Sequence, residues 1–126
     1  MPEDKISFGK NSEALAAAFL KKQGYRIIVL NYRTKLGEID IIAQDKDTLC
    51  FIEVKARRTD RFGLPQDAVS RRKQGQISKA ALIFLKEKKL LERKARFDVV
   101  ALLGSDNAVK FDLIKNAFEL SGQYAC

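Results

Sequence analysis

Residues 37–58, GEIDIIAQDKDTLCFIEVKARR, set two apolar runs, IDIIA and TLCFIEV, on either side of the polar tetrapeptide QDKD and place charges inside both. Apolar runs joined by so few polar residues predict an antiparallel hairpin. Glu38, Asp40, Glu53 and Lys55 interrupt what is otherwise core material, and a buried charge is costly unless it is paired. Side chains alternate faces along a strand, so Glu53 and Lys55 project together while Ile52 and Val54 point the other way, and Glu38 and Asp40 share a face. A hairpin turning on Lys46-Asp47 sets Asp45 opposite Thr48. Counting back along the ladder brings Asp40 across from Glu53, with side-chain origins about 5 Å apart, a separation at which like charges repel.

Something positive belongs between those two carboxylates, and two candidates imply different proteins. Lys55 can neutralise the pair as a buried ion network. Alternatively, a divalent cation can bridge Asp40 and Glu53, since Mg²⁺ takes oxygen ligands and commonly one or two carboxylates, with water filling the other positions. Lys55 would then face the metal's water or a substrate phosphate. Paired acids beside a lysine are the parts that phosphodiester hydrolysis requires.

The rest of the chain supplies covers for the hairpin. Residues 12–22, SEALAAAFLKK, have helical propensity, with Glu13 in the first turn and Gly24 placed to end the helix. YRIIVLNYR reads as a strand. Residues 70–89 place Ile77, Ala80, Ala81, Phe84 and Leu85 at helical spacing, and RFDVVALL and AVKFDLI flank GSDN as a second hairpin. The predicted order α-β-β-β-α-β-β is an α/β fold, a mixed sheet of about five strands flanked by helices, forming one domain over 1–126.

Composition narrows the function classes. With 46% apolar residues and two prolines the chain is globular rather than disordered. No apolar run reaches membrane-crossing length, and MPEDKISFGK lacks the apolar block of a secretory signal, so a cytoplasmic protein with no membrane partner is expected. The absence of histidine argues against zinc, and Cys50 and Cys126 are read as a buried thiol and a tail thiol. The formal charge of +8 is concentrated: residues 1–54 are net 0, residues 55–96 net +10 and residues 97–126 net −2. Such a block is the footprint of a polyanion partner, and acidic lipid or a plainly solvated surface would also produce it.

An acid on one strand followed by Glu-x-Lys on the next resembles the PD-(D/E)xK nuclease superfamily, with Asp40 as the first acid and Glu53-Val54-Lys55 as the second motif. Ile39 stands where that motif usually has proline. The longer stretch FLKKQGYRIIVLNYRTKLGEIDIIAQDKDTLCFIEVKARR, then AVSRRKQGQISKAA and RFDVVAL, resembles the bacterial YraN family of endonuclease-like proteins over residues 12–118. That family is similar in pattern to archaeal Holliday-junction resolvases. The resemblance implies a restriction-endonuclease-like core, Mg²⁺ or Mn²⁺ held by Asp40 and Glu53, Lys55 as the catalytic lysine, Glu13 as an assisting acid on the first helix, and a homodimer. Ser12 replaces the glycine usual before that acid. A carboxylate in a helix's first turn also favours the helix dipole whatever the protein does.

Lys73 falls on the apolar face of the second helix and so looks toward the sheet, whereas Arg72, Lys79 and Lys86 point away. Arg57 continues the face of Glu53 and Lys55, and Arg58, Arg61 and Arg71 flank the loop around Gly63. With Gln74 these are the expected phosphate contacts, which position a backbone without reading sequence. Phe51, Phe84, Phe97 and Phe111 sit in apolar patterns, leaving little for stacking on single strands, so duplex or branched DNA recognised by shape is the expected partner. The expected function is metal-dependent hydrolysis of DNA phosphodiesters. The competing expectation is a nucleic-acid-binding module on the same scaffold without turnover, and a third is a protein that binds a partner or a lipid surface.

Overall fold

The computed structural model describes residues 2–57, 69–104 and 108–119, with side chains from residue 11 onward. Its sheet runs β1 (Arg26–Arg33), β2 (Glu38–Asp45), β3 (Thr48–Arg57), β4 (Lys94–Gly104) and β5 (Val109–Phe118), in spatial order β1-β2-β3-β4-β5. Helix α1 (Pro2–Lys22) precedes it and helix α2 (Arg71–Glu87) links β3 to β4. All neighbouring strands are antiparallel except β3 and β4, which are parallel. A parallel pair needs a crossover longer than a turn, and α2 lies within it.

Alternation along β3 explains why both helices are required. Leu49 and Phe51 face Ile77, Ala80, Ala81 and Phe84 of α2. Cys50 and Ile52 face Ala16, Ala17 and Leu20 of α1. A central strand apolar on both faces must be covered on both, which is the sandwich the sequence predicts. The β2–β3 register is also the predicted one, from Asp45↔Thr48 to Ile41↔Ile52, turning on Lys46 at φ 57.

Both helices end in the same way. Gly24 takes φ 98, its N–H donates to Lys21 O at 3.0 Å, and the N–H of Tyr25 donates to Leu20 O at 3.0 Å. This reversed-turn cap satisfies carbonyls that the helix leaves unpaired. In α2 the equivalent position is Lys89, at φ 58. The α2 N-terminus is capped by Ser70, whose hydroxyl accepts from Lys73 N at 3.2 Å. Helix α1 starts ten residues before the predicted position 12, because the apolar periodicity that marks a helix in sequence begins only near Leu15, while Pro2 suits a first helical turn.

One polar cluster in the core has no counterpart in the sequence expectations. Asp98, fully buried on β4, accepts from Tyr25 Oη at 3.1 Å, Arg96 Nε at 3.0 Å and the Asn116 N–H at 2.9 Å. Arg96 Nη2 in turn donates to Asp45 Oδ2 at 2.7 Å. Every buried charge here has partners, so the cluster ties β2, β4 and β5 together. Burial, with Asp98 adding to it, pushes the Cys50 thiol up to about 12. A thiol held that high is not a nucleophile. Cys126 lies outside the described residues.

Candidate acidic site at the parting of two strands

The β2–β3 ladder stops at Ile41↔Ile52, one step short of the Asp40–Glu53 pair. There the Asp40 side chain takes over: its Oδ2 accepts the Val54 N–H at 2.9 Å. The strands part at this point, and strict alternation fails with them. Ile39 and Ile42, three residues apart, both pack in the α2-side core, as do Val29 and Tyr32 on β1. The register pairs Leu30 with Ile41 and Tyr32 with Ile39, so Asn31 and Asp40 occupy the position between. Asn31 has φ 54, a left-handed conformation inside a strand.

This irregularity lets acids from both faces of the sheet meet. Asp40 lies within hydrogen-bonding reach of Glu13, from α1, and of Glu53, on the α2 side of β3. Desolvation first and the Asp40 charge second raise the Glu13 carboxyl above its ordinary range, opposed by a contact with the Asn31 side chain. Glu53 is 4% exposed, and burial followed by the Asp40 charge pushes it up to about 7. Two lysines oppose that rise without cancelling it: Lys73 Nζ is 3.9 Å and Lys55 Nζ 3.5 Å from Glu53 Oε2. The other oxygen, Oε1, is buried with no hydrogen-bond partner.

Helix α2 can bring Lys73 this close because Gly37 leaves room for it. A Cβ at Gly37 would stand 2.3 Å from the backbone oxygen of Gln76. Thr34 fixes the approach, its Oγ1 accepting the Gly37 N–H at 3.1 Å and donating to Gly37 O at 2.9 Å.

The structure therefore gathers Glu13, Asp40, Glu53, Lys55 and Lys73. Glu38 stands apart, half exposed and paired with Arg33 at 3.7 Å. Arg57 ends β3 and Arg71, exposed, opens α2. The Gln74 side-chain amide donates to Val69 O at 2.9 Å and so helps hold the start of α2. Arg58 and Arg61 lie outside the described residues. Asn31 is the site residue that the sequence reading passed over; its only mark in YRIIVLNYR is that asparagine is a poor strand former. Among the described residues no three Asp, Glu, His or Cys side chains form a complete ligand set, so Asp40 acts as a hub between two acids rather than as one corner of a closed triad. No described helix is long and apolar enough to cross a membrane.

Comparison with known proteins follows the same residues. The family described as "Uncharacterised protein family UPF0102" matches residues 12–102, a span holding all five gathered side chains. A UPF0102 protein of Syntrophus aciditrophicus is 53% identical over 113 residues, covering 90% of this chain and 89% of its own. One from Desulfosudis oleivorans is 50% identical over 119 residues, covering 94% and 95%. Another, from Geobacter sulfurreducens, is 52% identical over 114 residues, covering 90% and 89%.

Proposed function

The chain belongs to the UPF0102 family, and from its acidic site we propose that it is a Mg²⁺- or Mn²⁺-dependent endonuclease hydrolysing DNA phosphodiester bonds. The observation that carries this reading is the convergence of Glu13, Asp40 and Glu53, from three separate elements, beside Lys55. Carboxylates held this close repel, and a bound cation relieves the repulsion. The donor set suits a hard cation, being all carboxylate oxygen, and the unpartnered Glu53 Oε1 is an acceptor that such an ion would satisfy. Asp40 and Glu53 would hold it, with water in the remaining positions.

When bound, such a cation supplies Lewis acidity toward a phosphoryl oxygen and acidifies its water. The rest is done by side chains. Lys55 offsets negative charge developing on the phosphate, and Glu13, which retains its proton more readily than an ordinary glutamate, assists beside Asp40 in moving a proton. Arg57, Arg71 and Lys73, with Arg58 and Arg61, would position the backbone of duplex or branched DNA.

Purified protein with Mg²⁺ or Mn²⁺ is expected to cleave at least one of linear, supercoiled and four-way-junction DNA, and Asp40→Ala and Lys55→Ala are each expected to abolish that cleavage. Cleavage surviving both changes would place the activity elsewhere. The net +10 of residues 55–96 favours one alternative, a binding module without turnover, which predicts salt-sensitive DNA affinity and no cleavage under either metal.

A further inference from the structure

We propose that Asn31 is a positioning residue of the acidic site, holding Glu13 toward Asp40 through its carboxamide. This inference rests on the metal-site reading for its consequence but not for its geometry. Asn31 combines φ 54 in the middle of β1, a side chain in reach of Glu13, and a register position opposite Asp40. A left-handed residue inside a strand turns the chain over, which is why Val29 and Tyr32 can both face α2. Asparagine tolerates this conformation better than other side-chain-bearing residues, and such strain is retained where the surroundings require it. Glycine would tolerate it too, so the backbone alone does not explain the choice of asparagine. The carboxamide does: its contact with Glu13 gives that carboxylate a donor, which the neighbouring Asp40 carboxylate does not supply.

The molecule carries its own control. Asn116 on β5 also has φ 54, also at a strand irregularity, and also beside an aspartate on the neighbouring strand. There the contact is the backbone N–H of Asn116 to Asp98 Oδ1 at 2.9 Å. Glycine keeps that N–H. Asn116→Gly should therefore be silent where Asn31→Gly is not.

The test uses the full chain in three forms, wild type, Asn31→Gly and Asn116→Gly. Metal-free crystal structures are expected to show β1 unchanged in Asn31→Gly but the Glu13 carboxylate displaced from Asp40. Calorimetric titration with Mn²⁺ is expected to give an affinity about tenfold weaker for Asn31→Gly, the usual scale for losing a group that orients a site, and unchanged for Asn116→Gly. An unmoved Glu13 in Asn31→Gly overturns the proposal, as does wild-type Mn²⁺ affinity in that variant. If the wild type binds no Mn²⁺, the metal reading fails, and the position of Glu13 alone decides the role of Asn31.

Discussion

At Glu53 the side-chain oxygens have unequal fates, Oε2 shared by two lysines and Oε1 buried without a partner. Its carboxyl is pushed up to about 7 from an ordinary 4.5. With a folded value above the unfolded one, the folded chain binds the extra proton between those pH values. The stability this contributes is present below about pH 4.5 and lost as pH rises through about 7, a change on the order of 3 kcal/mol. Metal-free melts of the wild type are thus expected to lose stability from pH 5 to pH 8 through this group, and Glu53→Gln to flatten the decline. Millimolar Mg²⁺ or Mn²⁺ should raise the melting temperature at pH 8, above the raised Glu53 value, more than at pH 5. Asp40→Asn should lose most of that rise while melting no lower without metal, since an amide oxygen can still accept the Val54 N–H. Were Lys55 and Lys73 only completing an ion network, metal would have little effect and Asp40→Asn would destabilise. The acids were legible in the sequence because they break an apolar pattern. Asn31 was not, because one asparagine among strand-forming letters marks neither the left-handed φ it adopts nor the acid it meets.

Among the elements, the contact that shapes the site is the one between α2 and the start of β2. Gly37 is required there by close approach rather than by conformation, since no positive φ is found at it. Gly37→Ala puts a methyl against the backbone of Gln76, so α2 has to shift, and overpacking of this kind costs about 1–3 kcal/mol. The helix that moves carries Lys73, so the variant is expected to lose cleavage more than stability: a lower melting temperature by thermal denaturation, with a fall in activity larger than the remaining folded fraction explains. The opposite end of α2 offers a gain. Lys89 holds the left-handed cap position that glycine adopts without steric cost, so Lys89→Gly should leave activity unchanged and not lower the melting temperature. Periodicity made the hairpin register and the buried stripe of α2 legible. The first ten residues of α1 lacked that signal, and the approach at Gly37 joins residues about forty apart in sequence, which no local pattern records.

Across the whole molecule, the strand order sets charged residues of β4 against the end of β2 as well as beside β3. The Asp45–Arg96–Asp98 cluster near the β2–β3 turn absorbs a strongly basic residue into structure; Arg96 and Asp98 share a face two residues apart on β4, but their meeting with Asp45 depends on long-range strand order, which the sequence does not record. Arg96 is therefore not available to DNA, although it was counted in the net +10 segment. Lys73 is partly committed as well, by its pairing with Glu53. The residues proposed to meet phosphates are Arg57, Arg58, Arg61 and Arg71. Each phosphate neutralised releases counterions and contributes about −0.9 to the slope of log affinity against log salt, so four such contacts give a slope of about −3.6. Fluorescence anisotropy of a labelled duplex, from low to physiological sodium chloride, should return a value near this. Arg57→Gln and Arg71→Gln should each reduce its magnitude by about 1, equally for unrelated sequences, because phosphate contacts read no bases. Arg96→Gln should instead lower the melting temperature, by stranding Asp98 without its buried cation, and any loss of DNA affinity should vanish once the folded fraction is accounted for. An affinity indifferent to salt would remove the electrostatic basis for both the endonuclease and the binding-module readings.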